Sequence, residues 1–200
     1  MAVSVEIPWH RIADFQPRPV LFSGDQEGSL GGPSLPVPRL GDRFAVDVVT
    51  ATLRNDAASR NLLAALFRGT TMDVRMAFRL PNHSGNRHNG VVVDGADQAG
   101  SVLAVRGVPP GGAFGLLDPI SIVHNGVHHV HLVMANGLAD GAGKAMLPIW
   151  PMLRFLTVDG ERVAYDDPMI EGKLVGFDAK GMGFERNRTR SVSFSIVERK

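Results

Sequence analysis

Three segments of this chain keep a strict two-residue alternation, and that period limits the fold more than any other feature. Phe44, Val46 and Val48 alternate with Arg43, Ala45 and Asp47. Met72, Val74, Met76 and Phe78 alternate with Asp73, Arg75, Ala77 and Arg79, and Val192, Phe194 and Ile196 alternate with Ser191, Ser193 and Ser195. Successive strand side chains point to opposite faces, so each segment predicts a strand with one buried face. Single short strands are not stable alone. The three are therefore expected to share one sheet, the C-terminal segment included.

One helix is expected, over about residues 56–68. Asn55 or Asp56 can cap its start, Leu62, Leu63, Leu66 and Phe67 form an apolar stripe, and Gly69 can close it. A helix this short must dock on something. Ahead of it, Pro17, Pro19, Pro33, Pro36 and Pro38 exclude helix and predict an extended or looped arm. Within the arm, residues 19–22 read as a short edge strand and residues 24–32 as a loop.

Residues 82–90 are polar and turn-rich and read as a junction. Between 90 and 150, short apolar runs at 91–93, 101–106, 120–124, 127–134 and 144–150 are split by turn residues. Asn125-Gly126 is a strong hairpin signal, because both residues tolerate positive φ. Beyond Arg154, residues 162–165 and 170–177 read as further strands. The expected fold class is mostly β with one short α-helix: a split β-sandwich or barrel domain, residues 1–83 plus 152–200, carrying an inserted small β-barrel module, residues 84–151.

Composition narrows the function. Hydrophobic residues are 44% of the 200, enough to bury a core. The 21 basic and 20 acidic residues nearly cancel to +1, which predicts neither direct nucleic-acid recognition nor polybasic membrane attachment. The absence of cysteine excludes disulfides, thiolate-held zinc and a thiol nucleophile. No run approaches the ~20 apolar residues of a spanning helix. The first ten residues lack the pattern of a signal peptide, so none is expected. The sequons at Asn82 and Asn187 are read as chance matches.

Chemical motifs are sparse. His124, His128, His129 and His131 fall within eight residues. A two-residue turn at Asn125-Gly126 pairs 124 with 127 and 122 with 129. It thereby places His124, His129 and His131 on one face, the one candidate metal cluster for zinc or nickel. Ile120 and Ile122 lie across from two of them, and a partly exposed histidine face is the expected reading. Gly141-Ala142-Gly143-Lys144 looks like part of a phosphate loop, but Leu138 stands where a glycine is required and Ala145 where a hydroxyl should follow; a turn is expected. Asp94-Gly95-Ala96-Asp97 lacks the spacing of a calcium loop. No Gly-x-Ser-x-Gly elbow occurs, and adjacent Asp166 and Asp167 face opposite ways on a strand. The expectation is a protein without catalytic residues, enzymatic activity, cofactor or metal.

Residues 117–154 carry a resemblance. Ala139-Asp140-Gly141-Ala142-Gly143 followed by Leu147-Pro148-Ile149-Trp150-Pro151-Met152-Leu153-Arg154 is similar to a module of minor tail proteins of siphophages and prophages. Residues 97–107 and the ending from Glu171 to Glu198 are similar to the same proteins, so the likeness spans roughly residues 40–200. It implies a distal tail or related minor tail protein: a tail-tube-like β domain in a ring, expected to be a hexamer, at the tail tip of a virion assembled in the bacterial cytoplasm. The implied partners are further copies of the chain, the tail tube protein, the tape-measure protein and baseplate hub or tail-fibre proteins. The histidine cluster is not part of that pattern. Two other readings stand beside it, a carbohydrate-binding module using Phe114 and Trp150 and a different tail ring such as a tube terminator; an envelope hydrolase would need a carboxylate or metal site.

Overall fold

The structure is a computed structural model that describes residues 4–22, 24–26, 32–33, 35–37, 40–81, 88–177 and 182–199. Two six-stranded sheets dominate it. Their elements are β1 (Val5–Glu6), β2 (Ile12–Val20), β3 (Arg43–Thr50), α1 (Ala57–Gly69), β4 (Val74–Ala77), β5 (Val92–Val93), β6 (Gly100–Arg106), β7 (Pro119–His124), β8 (Val127–Val133), β9 (Ala145–Leu153), β10 (Val163–Ala164), β11 (Met169–Val175) and β12 (Ser193–Glu198). The fold is mostly β with one helix, and it sets an open sheet against a small barrel.

The open sheet has the order β1-β4-β11-β12-β3-β2. All three alternating segments lie in it, and their apolar phase is the buried one: Phe44, Val46, Val48, Val74, Met76, Phe78, Val192, Phe194 and Ile196 form one core. The last strand, β12, is internal, paired with β11 and β3. Outermost is β2, nine residues that pair with β3 along their length. An arm with only a short strand is expected there. Pro17 and Pro19 do not prevent pairing because a strand on the rim can leave one side of its backbone unbonded. Gly24–Gln26 also pairs, with Leu35–Val37, where a loop is expected; residues 27–31 lie outside the described residues.

Helix α1 lies on this sheet. Asp56 caps it by accepting from the Ser59 amide at 2.7 Å. Leu62 and Leu66 are fully buried, but Phe67 is 56% exposed and meets only the edge of the Phe177 ring, 5.5 Å away. The expected four-residue stripe is thus narrower, because Phe67 lies about 100° round the helix from Leu66 and falls off the face that Leu62, Leu66 and Gly69 bury on the sheet. Gly69 is the last helical residue rather than a left-handed cap, and its role is close approach: a Cβ there would sit 2.4 Å from Val74 Cγ1.

The second sheet has the order β10-β7-β8-β9-β6-β5 and closes on itself. Val93 N donates to Glu161 O and Val163 N to Val91 O, both at 2.9 Å, joining β5 to the approach of β10. Closure removes the exposed edges that an open sheet must protect. Leu103, Val105, Ile120, Ile122, Val133, Leu147, Leu153, Val163 and Tyr165 fill the interior.

The expected boundary at Pro151 is too early. β9 runs to Leu153, β10 pairs with β7, and the barrel sheet therefore spans residues 92–164. The chain rejoins the open sheet only at β11. A proline inside a strand reads as a stop, but Pro148 borders and Pro151 lies within the stretch where β9 shifts register against β6, so little ladder bonding is lost.

Strand β8 is buried on both faces. His131 and Val133 point into the barrel, while Val130 and Leu132 pack, with Trp150, against the open sheet's core. The Trp150 ring stands edge-on to Phe44 at 4.9 Å. Two carboxylates complete the joint. Glu171 on β11 accepts from His128 N at 3.1 Å, and Glu198 on β12 accepts from Val130 N at 2.7 Å. They stand in for a strand along the part of β8 where β9 has turned away.

A candidate binding cleft at the barrel mouth

The hairpin of β7 and β8 has the register that its Asn125-Gly126 turn predicts: His124 opposite Val127, Ile122 opposite His129 and Ile120 opposite His131. Asn125 and Gly126 both have positive φ, 51° and 80°. Directly opposed residues share a face, so the three histidines of the candidate cluster do lie on one side. They do not converge on a metal position: among the described residues, no three metal-capable side chains come together.

Each histidine is engaged separately. His124 Nδ1 lies 2.6 Å from Glu161 Oε1, and its other nitrogen lies 2.9 Å from the Asn125 amide. His129 Nδ1 accepts from Arg154 Nη2 at 3.2 Å. A guanidinium only donates, so the His129 ring proton is on Nε2. Burial, followed by the Arg154 charge, lowers the His129 pKa to about 3 and keeps the ring neutral. His131 is sealed inside the barrel with 0% exposure. Its Nδ1 donates to Pro151 O at 2.7 Å while Nε2 has no partner. Burial lowers its pKa to about 4, although the Pro151 carbonyl opposes the shift. His128, on the other face, lies 3.0 Å from Ser121 Oγ and is also held below the ordinary value, by burial before anything else.

The cleft opens where β9 leaves β8 and holds about 370 Å³. Phe155 forms its aromatic wall, stacked on His124 with ring centroids 4.2 Å apart and 4.6 Å from the His129 ring. On the open-sheet side stand Asp73, Glu171 and Arg199, with Arg199 Nε bonded to both Asp73 oxygens at 2.8 and 2.7 Å. Arg154 forms the back. Its side chain is 8% exposed and its Glu198 partner 1%. Nη2 donates to Glu198 Oε2 at 3.1 Å, Nη1 donates to Arg199 O at 2.8 Å, and Nε is buried without a partner. Glu198 also accepts from Phe44 N at 2.9 Å. Burial still dominates and pushes its carboxyl upward. A neutral imidazole donor, fixed carboxylates and an aromatic wall suit binding; the hairpin's serine–histidine contact, Ser121 to His128, is buried on its other face and does not line the cleft.

Arg154, Phe155, Glu171 and Glu198 are the residues of this site that motif reading misses. A signal existed for Glu198. It continues the buried phase of Val192, Phe194 and Ile196, so alternation aims a carboxylate inward, where it requires a partner. Phe155 carries no such signal, because the turn that places it depends on the barrel.

The other motifs resolve as turns. Asp140 Oδ1 accepts from Ala142 N and Lys144 N, both at 2.9 Å. Lys144 reaches Asp94 at 2.8 Å and Arg106 bonds the same carboxylate, so cations already occupy the first carboxylate of the calcium-like segment. Phe114 is 1% exposed and Trp150 is spent on the joint, so neither provides a sugar platform. No protein-family model matches the chain, and no curated protein matches it. No helix among the described residues is long and apolar enough to cross a membrane.

Proposed function

We propose that the chain is a structural virion protein, a ring subunit at the distal end of a long-tailed phage tail that joins the tube and tape measure to the baseplate hub. The sequence resemblance motivates this reading, and one observation supports it most: two separate apolar patches face solvent. Leu21, Phe22 and Leu40, at 63%, 46% and 64% exposure, cluster where β2 ends and the chain enters β3. Leu116, Leu117, Met134 and Leu138, at 56%, 51%, 44% and 72%, cluster at loops of the barrel, where Ala113–Phe114 pairs with Gly137–Leu138. Contiguous exposed apolar surface marks assembly. Two unlike patches on one subunit suit head-to-tail contacts, which close into a ring when the rotation allows.

Native mass spectrometry and negative-stain microscopy of the purified chain test this. Closed rings, six subunits by expectation, should form. Phe22→Asp and Leu138→Asp should each break them, and an equimolar mixture of the two variants should recover only heterodimers, since each keeps the patch the other lacks. A chain that stays monomeric at every concentration, or a symmetric homodimer, would overturn the reading.

A further inference from the structure

Away from the cleft, Leu53–Arg54, Arg188–Thr189 and Phe184–Glu185 form a three-stranded ribbon beside helix α1. The ribbon and helix enclose a groove of about 290 Å³. Its charge is one-sided. Arg54, Arg60, Arg186 and Arg188 line it, with Glu185 the one carboxylate among them. Glu185 is already shared by Arg188 and Arg190. Among the described residues, Arg54, Arg60 and Arg186 have no ion pair. Arg54 and Arg188 are directly opposed across two strands, an arrangement that repels and that an anion between them relieves. The whole chain carries only +1, so this concentration is local rather than a general basic surface.

Two further features select the kind of anion. Phe184 is 70% exposed beside Leu63, which gives the groove an apolar floor among its guanidinium groups. Phe184–Glu185 is also the outermost strand of the ribbon, and among the described residues no strand pairs with its outer side, which leaves that side of its backbone to a further strand. Guanidinium forks match carboxylates, an apolar floor accepts apolar side chains, and an open strand edge accepts an extended backbone. We infer that this groove docks an extended segment of another protein in which acidic and apolar residues alternate. Within this chain, acidic residues stand two apart only at Asp25 and Glu27 and at Asp159 and Glu161, with Gln26 and Gly160 between them; no stretch of it alternates acidic and apolar residues, so the segment belongs to a different protein. The inference does not depend on ring formation.

The test is fluorescence anisotropy on the full chain with three labelled probes: a short peptide alternating Glu and Val, an oligoglutamate and an oligo-dT of matched charge. The alternating peptide should bind at low salt, more tightly than either other probe, and weaken steeply in half-molar salt. Arg54→Glu and Arg60→Glu should each weaken it about tenfold, and Phe184→Ala about threefold. Arg60 lies on the exposed side of the helix, so its variant reads the groove even if Arg54→Glu disturbs the ribbon; melting curves check both. Absence of peptide binding at low salt, or affinity unchanged in folded Arg60→Glu, would overturn the inference. Tighter binding of oligo-dT would overturn it in favour of a nucleic-acid groove.

Discussion

The open sheet and the barrel have six strands each, yet they solve the problem of unpaired edges differently. The barrel bonds its first strand to the approach of its last, so neither of these strands is left as a free outer edge. The open sheet instead ends in a two-residue strand on one side and in the proline-bearing β2 on the other. The two meet along β8, where Glu171 and Glu198 of the open sheet bond the amides that β9 leaves free. The barrel is thus closed as a sheet but completed by carboxylates from its neighbour. Closure supplies a rigid frame, while the joint supplies the cleft and couples the two halves.

Truncation after Arg190 should have the largest effect. It removes β12 from the middle of the open sheet and Glu198 from the joint. Native-state hydrogen exchange should lose protection throughout β1, β3, β4 and β11 and keep it at Leu103, Ile122 and Leu147 in the barrel. Equal loss in both sheets would show a single cooperative unit and would break the comparison.

Glu198→Ala should follow. It leaves Arg154 buried without its counter-charge and two amides unbonded, a loss of about 3–5 kcal/mol in urea unfolding. Glu198→Ala with Arg154→Leu should recover part of that loss, and a double-mutant cycle measures how much of the coupling runs through this one pair. Coupling near zero would mean that apolar packing of Val130, Leu132 and Trp150 holds the two sheets together.

Leu66→Ala should cost about 2–5 kcal/mol, because the side chain is fully buried between the helix and the open sheet. Phe67→Ala, one residue on, should cost markedly less. A similar cost at both positions in dilute solution would show that the Phe67 side chain is covered, by another copy or by a segment outside the described residues.

The smallest effect is a pH dependence inside the barrel. His131 is neutral when folded, with a pKa lowered to about 4 from 6.5. Its unfolded form binds a proton first as pH falls, so its contribution is complete above 6.5 and declines toward 4. Between pH 7 and pH 5 the loss is at most about 2 kcal/mol for this residue. Glu198, shifted upward, acts in the opposite direction, so the measurement is the difference in slope between the parent and His131→Leu. Equal slopes of stability against pH would mean that His131 does not titrate with unfolding.

The residues differ in how much of this could be read in advance. Alternation found β3, β4 and β12 and the phase of each, because a period of two depends only on the local pleat. Asp56 and the leucines located α1, and Asn125-Gly126 set the hairpin register that puts His124 and His129 side by side. Those features are local, written in neighbouring residues, and needed no tertiary context. Strand order, the extension of the barrel to Ala164 and the paired length of β2 were decided by contacts between residues far apart in sequence. So were the joins of Arg154 to Glu198 and of His124 to Glu161 and Phe155, which make the cleft. A lone carboxylate or proline in a sequence signals a cost, but only the tertiary structure supplies the partner that offsets it.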